Sequence, residues 1–191
     1  MARPKSDDKR NTILAAATEI FAERGLAAPT AAITGAAGVA EGTLFTYFKS
    51  KDELVNALYC QIKLDLADAL MAGFPRKSSV RARMQHVWDH YVDWGIANPT
   101  QFVVLKKMKV WEGLTCQSQM AGMTPFAEIQ AMSQDAIAQR LFVDLPEPFI
   151  AGMLTAQAEA TMDFMKLEPE QAQMYKTCGF EVLWAGITRK R

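Results

Sequence analysis

Residues 30–51 read TAAITGAAGVAEGTLFTYFKSK, and this stretch decides how the chain folds. Ile33, Ala36 and Ala37 lie at i, i+3 and i+4, a spacing that predicts one face of a short helix. Gly38 adopts positive φ at little cost, so we expect it to end that helix. Leu44 and Phe48, four residues apart, predict the buried side of a second short helix. The stretch is therefore predicted to be a helix-turn-helix, the unit that inserts its second helix into the DNA major groove.

The flanking residues predict a helix on each side of this unit. Upstream, apolar side chains recur at helical spacing and end at Arg24 and Gly25: Ile13, Leu14, Ala17, Ile20 and Phe21. Downstream, Ser50 and Glu53 have the spacing of a capping box, with Ser50 as N-cap and Glu53 reaching back to it. An apolar stripe then continues to Leu70, which predicts a longer helix after the turn.

Taken together, these elements resemble the TetR family of bacterial transcriptional repressors. The resemblance rests on Ile13-Leu14-Ala15-Ala16, Phe21, Gly25, Ile33, Ala37-Gly38-Val39, Gly42-Thr43-Leu44 and Tyr47-Phe48-Lys49-Ser50-Lys51-Asp52-Glu53-Leu54. It implies an all-α fold, with an N-terminal three-helix DNA-binding domain over residues 1–52. A helical ligand-binding and dimerisation domain is expected over residues 53–191. It further implies a dimer that binds a palindromic operator and is released by a small, largely apolar effector.

The outward side of the second helix supplies the expected DNA contacts. The candidate DNA-binding residues are Thr30, Glu41, Gly42, Thr43, Phe45, Thr46, Tyr47, Lys49 and Lys51. Thr43, Thr46, Phe45 and Glu41 are expected at base edges, where a Phe ring suits a thymine methyl group and a carboxylate suits a cytosine amino group. Lys49, Lys51 and Tyr47 are expected at phosphates, together with a basic arm made of Arg3, Lys5, Lys9 and Arg10.

Among the departures from the usual family pattern, two bear most on DNA binding. Ala40 stands where Ser or Thr usually caps the recognition helix, a loss that typically costs about 1 kcal/mol. Glu41 stands where Lys is common, and its carboxylate repels phosphates. An alternative is therefore a helical small-molecule-binding protein with weak or no DNA binding.

Charge and cysteine content are compatible with this interpretation without deciding it. The formal net charge of the 191 residues is zero, and residues 1–60 hold seven Lys or Arg against seven Asp or Glu. Clustering of cations matters more than their sum for DNA binding. Cys60, Cys116 and Cys178 form no Cys-x-x-Cys motif, so we expect no disulfide, although redox sensing stays open. The chain shows neither a signal segment nor an apolar run long enough to span a bilayer, which predicts a cytoplasmic protein.

The second half is predicted to be entirely helical. Turn and capping signals predict helices over residues 80–97, 100–112, 126–142 and 149–167, and a last one that Pro169 opens and that runs to about residue 188. The poorly periodic segment 114–124 is predicted to be a loop. The whole chain would then contain about nine helices.

Met and aromatic side chains are frequent in this half, and such residues line adaptable apolar pockets as well as ordinary cores. The candidate ligand-binding residues are Trp88, Trp111, Met123 and Phe126. Apolar and small residues alternate along the last two helices, a pattern typical of a helix-pair interface. The resemblance implies a homodimer there, and packing within one chain is the alternative.

The two histidines leave an enzyme as a further alternative. His86 and His90 lie at i, i+4 with Asp89 and Asp93 nearby, so one helix face offers metal ligands. The chain has no Glu-x-x-His motif of the kind that di-iron bundles use. A solvated helix face is the preferred interpretation, a helical metalloenzyme is the weaker alternative, and no cofactor is expected.

Overall fold

The structure, a computed structural model, describes residues 5–189 without the side chains of residues 5–7 and 147. Within that range it is all-α, as predicted. The helices are α1 (Lys5–Arg24), α2 (Thr30–Ala37), α3 (Glu41–Tyr47), α4 (Lys51–Met71), α5 (Val80–Ala97), α6 (Pro99–Lys109), α7 (Cys116–Met123), α8 (Ala127–Ala138), α9 (Glu147–Leu167) and α10 (Ala172–Ile187). Short 3₁₀ turns at Thr124–Phe126 and Pro169–Gln171 lead into α8 and α10. None of the described helices combines the length and apolarity that crossing a membrane requires.

Gly38 ends α2 as the sequence predicts. Its φ of 65° and ψ of 31° are left-handed, a conformation that a side chain would strain. The turn allows Gly38 N to donate to Gly35 O at 3.3 Å and Val39 N to donate to Thr34 O at 3.0 Å. These bonds satisfy carbonyls at the end of α2 and set the direction in which the chain enters α3.

The predicted capping box at α4 is present but shifted by one residue. Ser50 Oγ accepts from Glu53 N at 3.1 Å, as expected of an N-cap. Glu53 Oε2 instead accepts from Lys49 N at 2.8 Å, one residue before the cap. The box therefore fixes the connection between α3 and α4 as well as the start of α4.

The predicted loop over residues 114–124 was wrong, because most of it forms α7 and brings the described α-helices to ten. Thr115 caps this helix by accepting from Ser118 N at 3.1 Å. Two predicted ends were also too late, since α6 ends at Lys109 and α8 at Ala138. Phe142 lies beyond α8 in an isolated bridge with Thr188.

The described residues cluster into two compact units. The first runs up to Leu64 and also contains Asn98–Thr124, so that it combines α1–α3 and most of α4 with α6 and α7. In it α1 packs against α2 and α6, and α2 packs against α3. Its fully buried side chains include Ile13, Phe21, Ile33, Leu44, Phe48, Leu58 and Ile62. The predicted boundary between a DNA-binding domain (1–52) and a ligand-binding and dimerisation domain (53–191) stays a prediction.

The second unit contains Asp65–Ala97 and the chain from Pro125 onward. Here α9 pairs with α10, and both pack against α5. Trp88 lies at the centre, fully buried, and its indole Nε1 donates to Lys176 O at 2.9 Å. A Cβ on Gly179 would lie 2.7 Å from the Trp88 ring and 2.5 Å from Thr161 Oγ1, so this contact between helices requires glycine.

Candidate DNA-binding site

Helix α3 presents a polar and aromatic side away from the core of the first unit. Leu44 and Phe48 are 0% and 1% exposed, which confirms that they form its buried side. Residues of the opposite side are exposed or half-buried, as predicted: Glu41, Gly42, Thr43, Phe45, Thr46 and Tyr47. Phe45 is a large apolar side chain, yet it is 45% exposed on this seven-residue helix.

The inner side of α2 differs in part from the prediction. Ile33 is fully buried, but Ala36 is exposed and Ala37 only half-buried. Thr34 is buried in their place, and its hydroxyl donates to Ala31 O at 3.2 Å. This internal hydrogen bond satisfies the hydroxyl group and makes its burial tolerable.

A hydrogen bond joins the first residues of the two helices of the motif. Thr30 Oγ1, at the start of α2, donates to Glu41 Oε1, at the start of α3, over 2.9 Å. Ala40 gives α3 no side-chain cap, but a carboxylate in the first turn interacts favourably with the helix dipole. The bond joins residues eleven positions apart, and local patterns gave no sign of it.

This bond changes what Thr30 offers to DNA. A threonine hydroxyl has one hydrogen to donate, and phosphate oxygens accept but do not donate. Because Thr30 donates to Glu41, its side chain is not placed to donate to a phosphate. Thr46 is similar, since its hydroxyl donates to Gly42 O within α3 at 3.0 Å.

The cations expected at phosphates are distributed around α3. Lys49 is exposed, and Lys51 is half-buried at the first position of α4. Lys9 and Arg10 of the predicted basic arm lie within α1, where Lys9 is exposed and the Arg10 guanidinium lies over the Phe48 ring, 5.4 Å from its centre. Arg3 and the side chain of Lys5 lie outside the described residues.

Two polar side chains fasten α6 and α7 to the rest of this unit. Lys107 Nζ donates to Phe21 O at 3.1 Å and Ala22 O at 2.6 Å, which places a cation at the carboxyl end of α1. Asn56 of α4 donates to Gly113 O at 3.0 Å and accepts from Thr115 N at 2.9 Å. Helix α6 and the turn before α7 are therefore hydrogen-bonded to α1 and α4, the helices that flank the helix-turn-helix.

The structure divides the candidate ligand-binding residues between the two units. Trp88 and Phe126 are buried in the second unit, whereas Trp111 and Met123 are at least partly exposed in the first. The indole of Trp111 packs so closely on Gly113 that a Cβ there would lie 2.2 Å from the ring. The four residues thus do not form one cluster within either unit, and their role stays a prediction.

The histidine pair lies on a face that is half-buried rather than fully solvated, which corrects that interpretation in part. His86 and His90 are half-buried, and their rings stack with centres 3.8 Å apart. His86 Nε2 lies 3.0 Å from Leu70 O, and His90 Nδ1 lies 2.9 Å from His86 O. Burial, together with the neighbouring His90, lowers the pKa of His86.

Asp93, the other candidate metal ligand on this helix, forms an ion pair with Lys176 at 2.7 Å. The described residues contain no group of three or more His, Cys, Asp or Glu side chains able to hold a metal ion.

Comparison with known proteins agrees with this architecture. Residues 13–58 match the family model of bacterial regulatory proteins of the tetR family. A TetR-family transcription regulator from Marinobacter aquaeolei VT8 superposes with a TM-score of 0.89 at 19% identity, covering 99% of this chain and 100% of its own. One from Shewanella sp. PV-4 gives 0.85 at 23% identity, with 95% and 99% covered.

A third similar structure contains a bound molecule. The transcriptional regulator FadR from Bacillus subtilis, in complex with stearoyl-CoA, has a TM-score of 0.68 at 16% identity, with 93% of this chain and 98% of that chain covered. At these identities the superpositions establish the fold alone. The family model matches the sequence that forms α2 and α3, the two helices of the helix-turn-helix. Residues 13–58 thus match the tetR family model, and the described residues have the fold of TetR-family transcription regulators.

Proposed function

We propose that the protein is a dimeric transcriptional repressor that binds a palindromic operator and is released by a small, largely apolar effector. The observation that carries this proposal is the outward side of α3, where Glu41, Phe45 and Thr46 are exposed opposite the buried Leu44 and Phe48. The second helix of a helix-turn-helix enters the major groove with its first residues at base edges.

The assignment of contacts follows from side-chain chemistry. Thr43, Thr46, Phe45 and Glu41 lie on or beside the exposed side and would meet base edges. Lys49, Lys51, Tyr47 and the basic arm would meet phosphates, as cations and hydroxyl groups commonly do. Gly42 would allow close approach to the duplex, because nothing lies within 4 Å of where its Cβ would be.

Selection of tight binders from random duplex DNA, at two salt concentrations, tests DNA recognition. Enrichment of an inverted repeat, with half-site centres about 34 Å apart or a multiple of that distance, would support a symmetric repressor. Lys51→Ala should weaken binding to all sequences and reduce the salt dependence, whereas Thr43→Ala should relax the preference at one or two positions. Lys77→Ala, at an exposed residue of the second unit, is the matched control. If no sequence is enriched even at low salt, the ligand-binding protein without DNA binding becomes the better account.

Exposed apolar side chains on α9 and α10 support the dimer. Phe149, Phe164 and Val182 are 56%, 50% and 60% exposed, and Met174 is 47% exposed. Gly152 and Gly186 leave open space at the positions their Cβ atoms would occupy. An apolar surface of this kind on paired helices is typical of a protein–protein interface. Leu183, next to Val182 in α10, is only 4% exposed and packs within the chain.

Sedimentation analysis of Val182→Glu tests this interface. A charge on this exposed apolar surface should shift the protein to monomer and remove binding to the inverted repeat. Gln139→Glu, an exposed position after α8, adds the same charge elsewhere and should leave the dimer intact. A Val182→Glu protein that still sediments as a dimer would place the interface elsewhere.

Binding of an apolar effector is proposed from the family and from the Bacillus subtilis FadR complex with stearoyl-CoA. Trp88, Trp111, Met123 and Phe126 remain the proposed ligand-binding residues. Helix α4 is continuous from Lys51 to Met71, while its residues divide between the two units after Leu64. A ligand that shifts α4 would change the spacing of the recognition helices, and a coupling of about 1–3 kcal/mol suffices to release an operator.

Release of the selected operator by a series of fatty acids and acyl-CoA thioesters tests the effector class. Release that depends on chain length would support an apolar effector, and the absence of release across the series would exclude this class. We further propose a cytoplasmic location and a regulatory rather than enzymatic role, because an operator-binding repressor acts where the bacterial chromosome lies.

A further inference from the structure

We infer that Glu41, held in place by Thr30, selects a cytosine in each half of the operator. The inference rests on the proposed function, because it assigns one base to the DNA-reading helix α3. It makes Glu41 a specificity-determining residue and Thr30 a positioning residue that acts through Glu41.

The composition of α3 limits how it can read bases. Its seven residues include no Lys, Arg, Asn or Gln, so it has no side chain for the usual bidentate contacts to guanine or adenine. Glu41 is its one charged residue, and it occupies the first helical position. Residues at that end of a recognition helix contact base edges.

The hydrogen bond from Thr30 leaves the carboxylate able to bind a base. Glu41 is exposed, and it uses Oε1 to accept from Thr30 Oγ1 at 2.9 Å. A carboxylate has about four lone-pair sites across its two oxygens, so further acceptor capacity remains. A glutamate side chain normally loses rotamer freedom when it binds. Fixing one oxygen in the free protein reduces that loss, which is the advantage of a preorganised contact.

A carboxylate at this position discriminates by charge as well as by hydrogen bonding. In the major groove cytosine presents an amino donor, whereas thymine presents an acceptor oxygen and guanine presents two acceptors. Adenine presents an amino donor beside an acceptor nitrogen, which opposes the second carboxylate oxygen. Cytosine is therefore the base that a fixed, ionised carboxylate favours most.

Glu41→Gln should have two effects of opposite sign. Removing the negative charge ends its repulsion of phosphates, so affinity for non-cognate duplex should rise. A glutamine amide both donates and accepts, so it tolerates thymine and guanine where the carboxylate does not. Preference for C·G over T·A at the assigned position should fall by about tenfold, a typical effect of one mismatched base pair.

Thr30→Val tests the positioning role, because valine keeps the shape of threonine and removes only the hydroxyl group. The freed carboxylate should lose most of its preference for cytosine, and this change should exceed any change in binding to non-cognate duplex. A merely structural role predicts a lower Tm and an equal loss of affinity for C·G and T·A sites. That outcome would overturn the assignment of Thr30 as a positioning residue.

The experiment measures dissociation constants of the full-length protein for the operator selected above and for symmetric single-position replacements of it. Wild type, Glu41→Gln and Thr30→Val are compared, with the exposed Glu170→Gln as a control for loss of a carboxylate elsewhere. A duplex with N4-methylcytosine at the assigned position replaces the amino hydrogen in the major groove with a methyl group, and it should weaken wild type more than Glu41→Gln.

The possible outcomes separate this inference from the proposed function. Failure to select any operator contradicts DNA recognition itself. An operator without cytosine in its half-sites, or one whose C·G preference is the same in Glu41→Gln as in wild type, overturns the inference and leaves the repressor intact. A selective loss of the cytosine preference in Glu41→Gln, with stronger non-cognate binding, supports it.

Discussion

Replacement of Asn56 should release α7 from α4. The side chain is 8% exposed, and its amide group makes three hydrogen bonds. Nδ2 donates to Asp52 O at 2.8 Å and to Gly113 O at 3.0 Å, while Oδ1 accepts from Thr115 N at 2.9 Å. The last two bonds hold the turn between α6 and α7, and Thr115 is also the N-cap of α7.

The expected cost of Asn56→Leu can be worked out from these bonds. Leucine has the same number of side-chain heavy atoms, but it leaves Gly113 O and Thr115 N without a hydrogen-bond partner. Each unsatisfied group destabilises the folded state by about 1–3 kcal/mol. Burial of the apolar leucine side chain stabilises it by about 1–2 kcal/mol. The free energy of unfolding should therefore fall by about 3 kcal/mol, a large share of the 5–15 kcal/mol that is usual for a domain.

Urea denaturation measures this change, and hydrogen exchange over α7 shows where it acts. Amide protection in Cys116–Met123 should decrease more than protection in α1. Gln117→Leu, at an exposed position of the same helix, is the control and should change stability little. An Asn56→Leu protein with wild-type stability and unchanged protection in α7 would refute the reasoning.

Asn56→Asp separates the loss of hydrogen bonds from the change in shape. A carboxylate still accepts from Thr115 N but faces the carbonyl oxygens of Asp52 and Gly113, so folding should raise its pKa above the usual value of about 3.9. The unfolded state then loses its proton first, and the destabilisation should be greatest near pH 7 and shrink as pH falls through the folded pKa. Asn56→Leu should show no such additional pH dependence.

Substitutions at three further positions probe other contacts. Lys107→Met keeps the aliphatic stem but removes both donors to the carboxyl end of α1, so calorimetry should show a loss of about 2 kcal/mol, and an unchanged Tm would contradict the role of this cap. Gly38→Val should cost at least about 1–2 kcal/mol because φ is 65°, whereas Gly38→Asn should cost less; equal losses would indicate crowding rather than backbone strain. Folding lowers the pKa of His86 below the usual 6.5, so the unfolded state binds more protons just below neutrality and stability should fall as pH decreases through that range. His86→Gln should flatten the profile of urea midpoint against pH, and an identical slope in the two proteins would rule out His86 as its source.

The local elements of the fold could be predicted from the sequence because their signals lie within a few residues. Gly38 marks the end of α2 because positive φ favours glycine, and Leu44 and Phe48 mark the buried side of α3 through helical spacing. Val80 and Ala97 bound α5 as expected, since Asn98-Pro99 stops one helix and opens the next. The helix-turn-helix resemblance came from the same short-range information.

Helix α7 could not be predicted in this way, because its stability depends on contacts distant in sequence. A Cβ on Gly122 would lie 2.5 Å from the Tyr59 ring and 3.2 Å from the Lys63 stem, which shows how closely α7 lies on α4. Asn56 and Cys60 add bonds to Thr115 N and Ser118 O, at 2.9 and 3.8 Å. A short segment with weak periodicity becomes a helix when such packing supports it. The cap at Thr115 was the one local signal that could have revealed it.

Sequence by itself thus determined the helix-turn-helix, the all-α class and the outward residues of α3, since helix periodicity and capping act over three or four residues. Only the tertiary structure grouped Asn98–Thr124 with the DNA-binding helices, and only it joined Thr30 to Glu41. Both results depend on how separate helices pack, and a hydrogen bond forms only when that packing brings donor and acceptor within about 3 Å.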